Sequence, residues 1–385
     1  MAMPEEKNRS LDVIRLRPYT PSATSSAPSG SAWYESLTRP FRMGNTADIA
    51  YGGCALAVLT AAAFQHLEAK HPASSTSSSP FTIYSASGLY LRPALCSTHF
   101  ICEVTSLRST RTFETMQVKV YQPTGKEGGA LNACNIGLVD FMRRSANGRD
   151  NSILTYSLQP RLVPSAGTLT HHTRLTGEPQ GMQERARSGE LPQAAADAVA
   201  KTFSAMNAYT VSKLPPEGIW QPAAWGAHKR AKTGQEDRPV PERVGYDWTK
   251  VRGSLVDTES REEGSLPISQ AAASASLIVF FLDGALSFSP LSFTNRFLDD
   301  AAACASLDFA IRFHREDTLL GKPGLSEREG WFLREIKARE SAFERTYNEG
   351  VLWEEMGEGE DFRAVATMTQ ACVLKAKPKK EQARL

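Results

Sequence analysis

Ala303-Cys304-Ala305-Ser306-Leu307-Asp308-Phe309-Ala310-Ile311-Arg312-Phe313-His314-Arg315 is the stretch from which the rest of the chain can be read. Apolar residues fall at Ala305, Leu307, Phe309, Ile311 and Phe313, and small or polar ones at Ser306, Asp308, Ala310, Arg312 and His314. Strict alternation with period 2 marks a strand with one buried face. The pattern predicts one strand over Ala303–His314.

Upstream, Ile268–Leu282 is apolar nearly all round, and between Ala271 and Leu282 only Ser274 and Ser276 interrupt it before Asp283. That run is shorter than the roughly 20 residues a membrane-spanning helix needs, so it predicts a buried core helix. Downstream, Gly330–Arg339, Phe343–Trp353 and Phe362–Leu374 read as strands, with Gly357–Asp361 as a hairpin loop. The same order occurs earlier. An Ala- and Leu-rich helix is predicted over Thr46–Glu68, with Gly52-Gly53 near its start, and strands over Thr82–Leu91, His99–Leu107, Thr112–Tyr121, Asn135–Met142 and Ile153–Leu158. Tyr90-Leu91-Arg92-Pro93 precedes the long strands of the first half as Phe313-His314-Arg315 precedes those of the second. A long buried helix followed by an antiparallel meander, twice over, is an α+β chain of two tandem hotdog domains, each a curled antiparallel sheet wrapped around a central helix.

This reading divides the chain into an N-terminal hotdog with an extension (1–163), an inter-domain connection with local structure (164–240), a C-terminal hotdog (241–376) and a basic tail (377–385). The connection is rich in Gly, Pro and charged residues, with one helix expected over Ala194–Met206. Trp220, Trp225 and Trp248 require something to pack on. A chain of 385 residues suits two domains. The net charge of +2 gives no case for a nucleic-acid or membrane-surface partner. Six cysteines without a Cys-x-x-Cys pair suggest reduced thiols inside a cell. The polar start Met-Ala-Met-Pro-Glu-Glu-Lys-Asn is not that of a secretory signal peptide.

For chemistry, no Gly-x-Ser-x-Gly elbow is present; Gly324-Leu325-Ser326 lacks the closing glycine. His171-His172 lies in the polar connection without typical metal-ligand spacing and reads as a solvated loop pair, so no metal and no cofactor are expected. Asp283, held at the end of an apolar helix, can be a general base whose pKa burial would raise, or simply an Asp-Gly turn that ends the helix. Gln370 sits mid-strand on the more apolar face with Ala366, Met368, Cys372 and Leu374. Its amide needs partners there, whether backbone or a held water.

Several pieces together resemble the acyl-CoA thioesterase II family: Gly52-Gly53, Leu91-Arg92-Pro93, Ser306-Leu307-Asp308 with Phe313-His314-Arg315, and Val365-Ala366-Thr367-Met368-Thr369-Gln370. The resemblance runs over about 44–121 and 271–375. The N-terminal extension and long middle insertion look like those of fungal members. It implies hydrolysis of fatty acyl-CoA, with a catalytic aspartate at Asp283, an amide at Gln370 and a hydroxyl at Ser306 positioning one water; a backbone N–H, such as one at a helix N-terminus, suits the oxyanion. Alternation puts Ser306 on the polar face with Asp308 unless the strand bulges there, and a strand-entry serine is the plainer reading. Two positions depart from the family pattern: Phe309 stands where histidine is usual, and Arg312 where an aromatic is common. These changes also suit a specialised enzyme acting on an unusual acyl or polyketide thioester, or a non-catalytic acyl-binding homologue. Gly284–Pro290 contains no histidine of the kind a hydratase pairs with its aspartate. The tripeptide Ala383-Arg384-Leu385 resembles a peroxisomal address, which implies an import receptor as partner and the peroxisomal matrix as location, or the cytoplasm if the signal is not read. The plainer reading of the same residues is a frayed basic tail. A compact monomer and a homo-oligomer both fit the resemblance.

Overall fold

Two helices without a polar face set the interior. In α1 (Gly52–Lys70) every residue from Gly53 to Gln65 is buried, and in α5 (Gln270–Asp283) every residue from Ala272 to Asp283. A helix apolar all round can only sit inside a fold. The two pack on each other, α1 also against strands of the first half and α5 against strands of the second. Ser269 caps α5 by accepting from the Ala272 N–H at 3.1 Å, and its own hydroxyl donates to Glu68 of α1 at 2.5 Å. The computed structural model describes residues 12–21, 30–44, 47–72, 81–124, 130–145, 152–252, 264–315, 317–318, 320, 325–326, 328–357, 359 and 361–377.

Around the helices the described residues form one 13-stranded sheet, antiparallel at every pairing among them. In chain order the strands are β1 (Leu16–Pro18), β2 (Ala32–Ser36), β3 (Phe81–Tyr90), β4 (Ile101–Ser109), β5 (Phe113–Pro123), β6 (Leu131–Arg143), β7 (Thr210–Lys213), β8 (Gly245–Val251), β9 (Ala301–Ser306), β10 (Asp308–Phe313), β11 (Phe332–Ala342), β12 (Arg345–Gly357) and β13 (Asp361–Ala376). Their spatial order is β1-β2-β4-β5-β6-β3-β10-β13-β12-β11-β8-β7, with β9 pairing β13 off this path. The halves join where β3 pairs β10, Gly88 opposite Phe309. The expected α+β double hotdog is what the chain forms.

Among the described residues the remaining α-helices are α2 (Glu178–Arg187), α3 (Gln193–Asn207), α4 (Trp220–Ala223) and α6 (Ser289–Ser292). Helix α3 matches the one expected over 194–206. The tryptophans do find partners: Trp220 and Trp225 stack at 4.4 Å, and Trp248 is buried with Trp331, Trp353 and Phe362 in a second core. Strand β7 adds to β8 at the far edge of the sheet. Among the described residues, no helix is long and apolar enough to cross a membrane.

Three expectations need correction. Residues 152–158 form no strand; Ile153 and Tyr156 are almost fully exposed, and the segment instead spends its polar groups on β12 and β13 (Trp353 Nε1–H to Leu158 O, 2.9 Å; Ala364 N–H to Ser157 Oγ, 3.2 Å). The strand expected over 303–314 is two, broken at Leu307. His171-His172 is not a solvated pair: His172 is 2% exposed and its ring stacks on Trp331. The C-terminal tripeptide lies outside the described residues.

Candidate active site

Asp283 closes α5 with its carboxylate buried at the junction of the halves. Tyr90, the last residue of β3, donates its hydroxyl to Asp283 Oδ1 at 2.7 Å. Gln370 Nε2 on β13 donates to the same oxygen at 2.9 Å. The Gly53 backbone N–H, in the first turn of α1, also favours the ionised carboxylate. First-turn amides have no partner inside their own helix and lie at the positive end of its dipole, so they favour an anion.

The glycine pair has a steric reason to be there. A Cβ on Gly52 would stand 2.9 Å from Asp283 Oδ2 and 3.1 Å from Tyr90 Cε1; one on Gly53 would stand 2.4 Å from the Tyr51 ring. Small residues let the start of α1 reach the carboxylate.

Burial drives the Asp283 pKa above the ordinary carboxylate value, and the hydrogen bonds from Tyr90, Gln370 and Gly53 restrain that rise. The Tyr90 hydroxyl is raised well above its usual value, by burial first and then by the neighbouring Asp283, and so stays protonated as a donor. Gln370 is fully buried. Its carbonyl oxygen accepts from the Cys372 thiol at 3.4 Å, so its NH2 faces Asp283.

Ser306 reaches this face through an irregularity. Ser306 lies opposite Cys372, yet Ala310 lies opposite Thr369, so one extra residue has entered the β9–β10 side. At the break Leu307 N–H donates to Ala371 O, while Ala371 N–H donates to the Asp308 carboxylate at 2.7 Å rather than to a ladder carbonyl. A one-residue insertion flips the side chains beyond it to the other face. Ser306 therefore shares the face of Cys372 and Gln370, not that of Asp308. It makes no side-chain hydrogen bond to Asp283 or Gln370 among the described residues. Asp283 and Gln370 are thus brought into contact, and Ser306 is brought to the face of Gln370 without a side-chain hydrogen bond to either among the described residues. Phe309 is buried and packs edge-on to Tyr90 at 5.8 Å, whereas Arg312 is exposed on the opposite face of β10.

Tyr90 and Gly53 were not assigned roles from sequence. Both lie in stretches singled out there, but only the packing of α1 on α5 and of β3 beside β10 tells which carboxylate they meet.

The acyl-CoA thioesterase N-terminal domain model matches residues 39–142 and the C-terminal domain model residues 210–374. Together they take in most of the chain, which belongs to the acyl-CoA thioesterase family, a family of thioester hydrolases. No curated protein matches it in sequence. Solved structures share the fold at low identity. The acyl-CoA thioesterase II TesB2 of Mycobacterium marinum is 14% identical with a TM-score of 0.54, covering 96% of this chain and 98% of that one. A hotdog-fold protein of unknown function from Alicyclobacillus acidocaldarius is 14% identical at 0.52, with coverages of 95% and 98%. A tesB protein of Mycobacterium avium subsp. paratuberculosis is 13% identical at 0.51, with coverages of 90% and 93%.

Proposed function

We propose that the protein hydrolyses fatty acyl-CoA to free acid and CoA with a water held by Asp283, Gln370 and Ser306, Tyr90 acting as a positioning residue for the aspartate. The observation that carries this reading is the buried Asp283 carboxylate with two donors, Tyr90 and Gln370, on a single oxygen. Those donors fix the carboxylate and leave its other lone pairs for a water O–H. Burial keeps the group basic enough to take a proton. The water oxygen bonds to the thioester carbonyl carbon as its proton passes to Asp283. The C–S bond then breaks, and the proton goes to the departing thiolate. Thiolate is a good leaving group, so no covalent enzyme intermediate is needed.

The test is release of free thiol from a panel of acyl-CoA esters. Asp283→Asn should lower kcat by about 10²–10⁴-fold, with smaller losses for Gln370→Ala and Ser306→Ala; undiminished hydrolysis by the Asp283 variant would overturn the assignment. Phe309, buried beside Tyr90 where the family usually has histidine, favours one second reading, an unusual acyl or polyketide thioester as substrate. A panel in which such thioesters outrun straight-chain fatty acyl-CoA would select it. The location that accompanies this function is the peroxisomal matrix, through Ala383-Arg384-Leu385 and its import receptor. A fluorescent fusion that stays cytosolic with that tripeptide intact would remove it.

A further inference from the structure

We infer that His171, His172 and Glu355 form a binding site for one divalent transition-metal ion, zinc in the first instance, that fastens the inter-domain connection to the C-terminal sheet. The site is separate from Asp283. Glu355 on β12 offers both oxygens: His171 Nε2 stands 2.6 Å from Oε1 and His172 Nε2 3.0 Å from Oε2. Ligand atoms from all three residues lie within 4.8 Å of one another. On a tetrahedral zinc ion with bonds of about 2.0–2.1 Å, neighbouring ligand atoms stand about 3.3 Å apart, so a small spreading of this cluster admits the ion. Two imidazoles and a carboxylate are a donor set that zinc and its first-row neighbours accept, with water completing the shell.

The surroundings hold the rings in place. His172 stacks on Trp331 at 4.6 Å and meets the edge of Trp248 at 5.2 Å. Coordination through Nε2 puts the ring proton on Nδ1. For His171 an acceptor is already there, Thr173 Oγ1 at 2.8 Å, which replaces a long 3.4 Å contact from the Thr173 N–H. Lys213 is the opposing charge beside the cluster, with its ammonium bonded to the His172 carbonyl at 2.8 Å. His171 is the most open of the three and gives the ion its way in.

The experiment uses the full chain, stripped with a chelator and titrated with zinc chloride by calorimetry, then with cobalt(II) chloride for its visible d–d absorption. One equivalent per chain is expected, with a higher Tm in the loaded protein. His171→Gln and Glu355→Gln, both near the shape of the native side chain, should each weaken binding at least ~10-fold and abolish the cobalt band, with thioester hydrolysis unchanged in His171→Gln. Substoichiometric zinc and no cobalt band in a natively folded chain would overturn the site. So would binding that survives both substitutions, which would put the ion elsewhere.

Discussion

Replacing Tyr90 by phenylalanine removes one hydroxyl and keeps the ring that packs against Phe309. The lost bond is the 2.7 Å one to Asp283 Oδ1. A hydrogen bond to a charged group contributes about 1.5–3 kcal/mol. One pKa step corresponds to about 1.36 kcal/mol, so removal should raise the Asp283 pKa by about 1–2. Gln370 still bonds the carboxylate and the Gly53 N–H still favours its charge, which points to the lower end. The sign follows from which form the bond favours. Tyr90 donates to the carboxylate, so without it the acid form gains and the base appears only at higher pH. The acid limb of the kcat/KM profile for acyl-CoA hydrolysis should therefore move upward in Tyr90→Phe by that amount, with the rate largely recovered on the alkaline side. A stopped pH series with free-thiol detection reads it directly. A uniform loss of rate at every pH, with the limb unmoved, would refute the hydrogen-bond reasoning and leave Tyr90 a packing residue.

Three further outcomes are expected. Asp283 has a folded-state pKa above its ordinary value, so the stability linked to it is fully present below that ordinary value and is lost as pH rises through the folded one; Asp283→Asn should consequently raise Tm at pH 8 relative to wild type while hydrolysis is lost, and the gain should vanish near pH 3. Gly52→Ala places a methyl 2.9 Å from Asp283 Oδ2, and a displacement of that scale should cost on the order of 10²-fold in kcat with a smaller effect on KM, measured by steady-state kinetics. Arg334 is buried, bonds both Asp247 oxygens at 2.9 Å and donates to the Phe281 and Gly284 carbonyls at the end of α5; Arg334→Met strands the Asp247 charge and should destabilise the fold by about 3–5 kcal/mol, read by urea unfolding.

Much of the fold is legible because it rests on local patterns. The run from Cys54 to Phe64 has no polar face, so it must be interior, and it is. The alternation in Thr112–Tyr121 and Phe362–Leu374 survives as β5 and β13 nearly to the residue. Ile153–Leu158 fails because a strand needs a neighbour as well as apolar residues, and its groups bond β12 and β13 out of register. Around Ser306 the alternation is real but misleading. Asp308 takes up a backbone donor with its side chain, and the face reverses between Ser306 and Phe309. An ionised carboxylate only accepts hydrogen bonds and can take a backbone N–H in place of a carbonyl, yet nothing in the string Ser-Leu-Asp says that this one does. His171-His172 was missed for a different reason: Glu355 lies 184 positions away, and spacing carries no information across that gap.

The duplicated architecture does not produce duplicated chemistry. Helix α5 ends in a buried carboxylate, whereas α1 ends in Lys70, which is bonded to Ser109 and to the buried Glu114. What the first half brings to that carboxylate instead is the Tyr90 hydroxyl, from the strand that joins the halves, and the Gly53 N–H at the start of its helix, which favours the charge. The second half carries the carboxylate itself, the Gln370 amide bonded to it and the strand that bears Ser306. A carboxylate this buried would be costly in either half alone. It is tolerable at the junction because donors from the N-terminal half and from β13 converge on it. Separated halves should therefore lack activity even where each folds, and mixing them should restore it only to the extent that β3 and β10 re-pair.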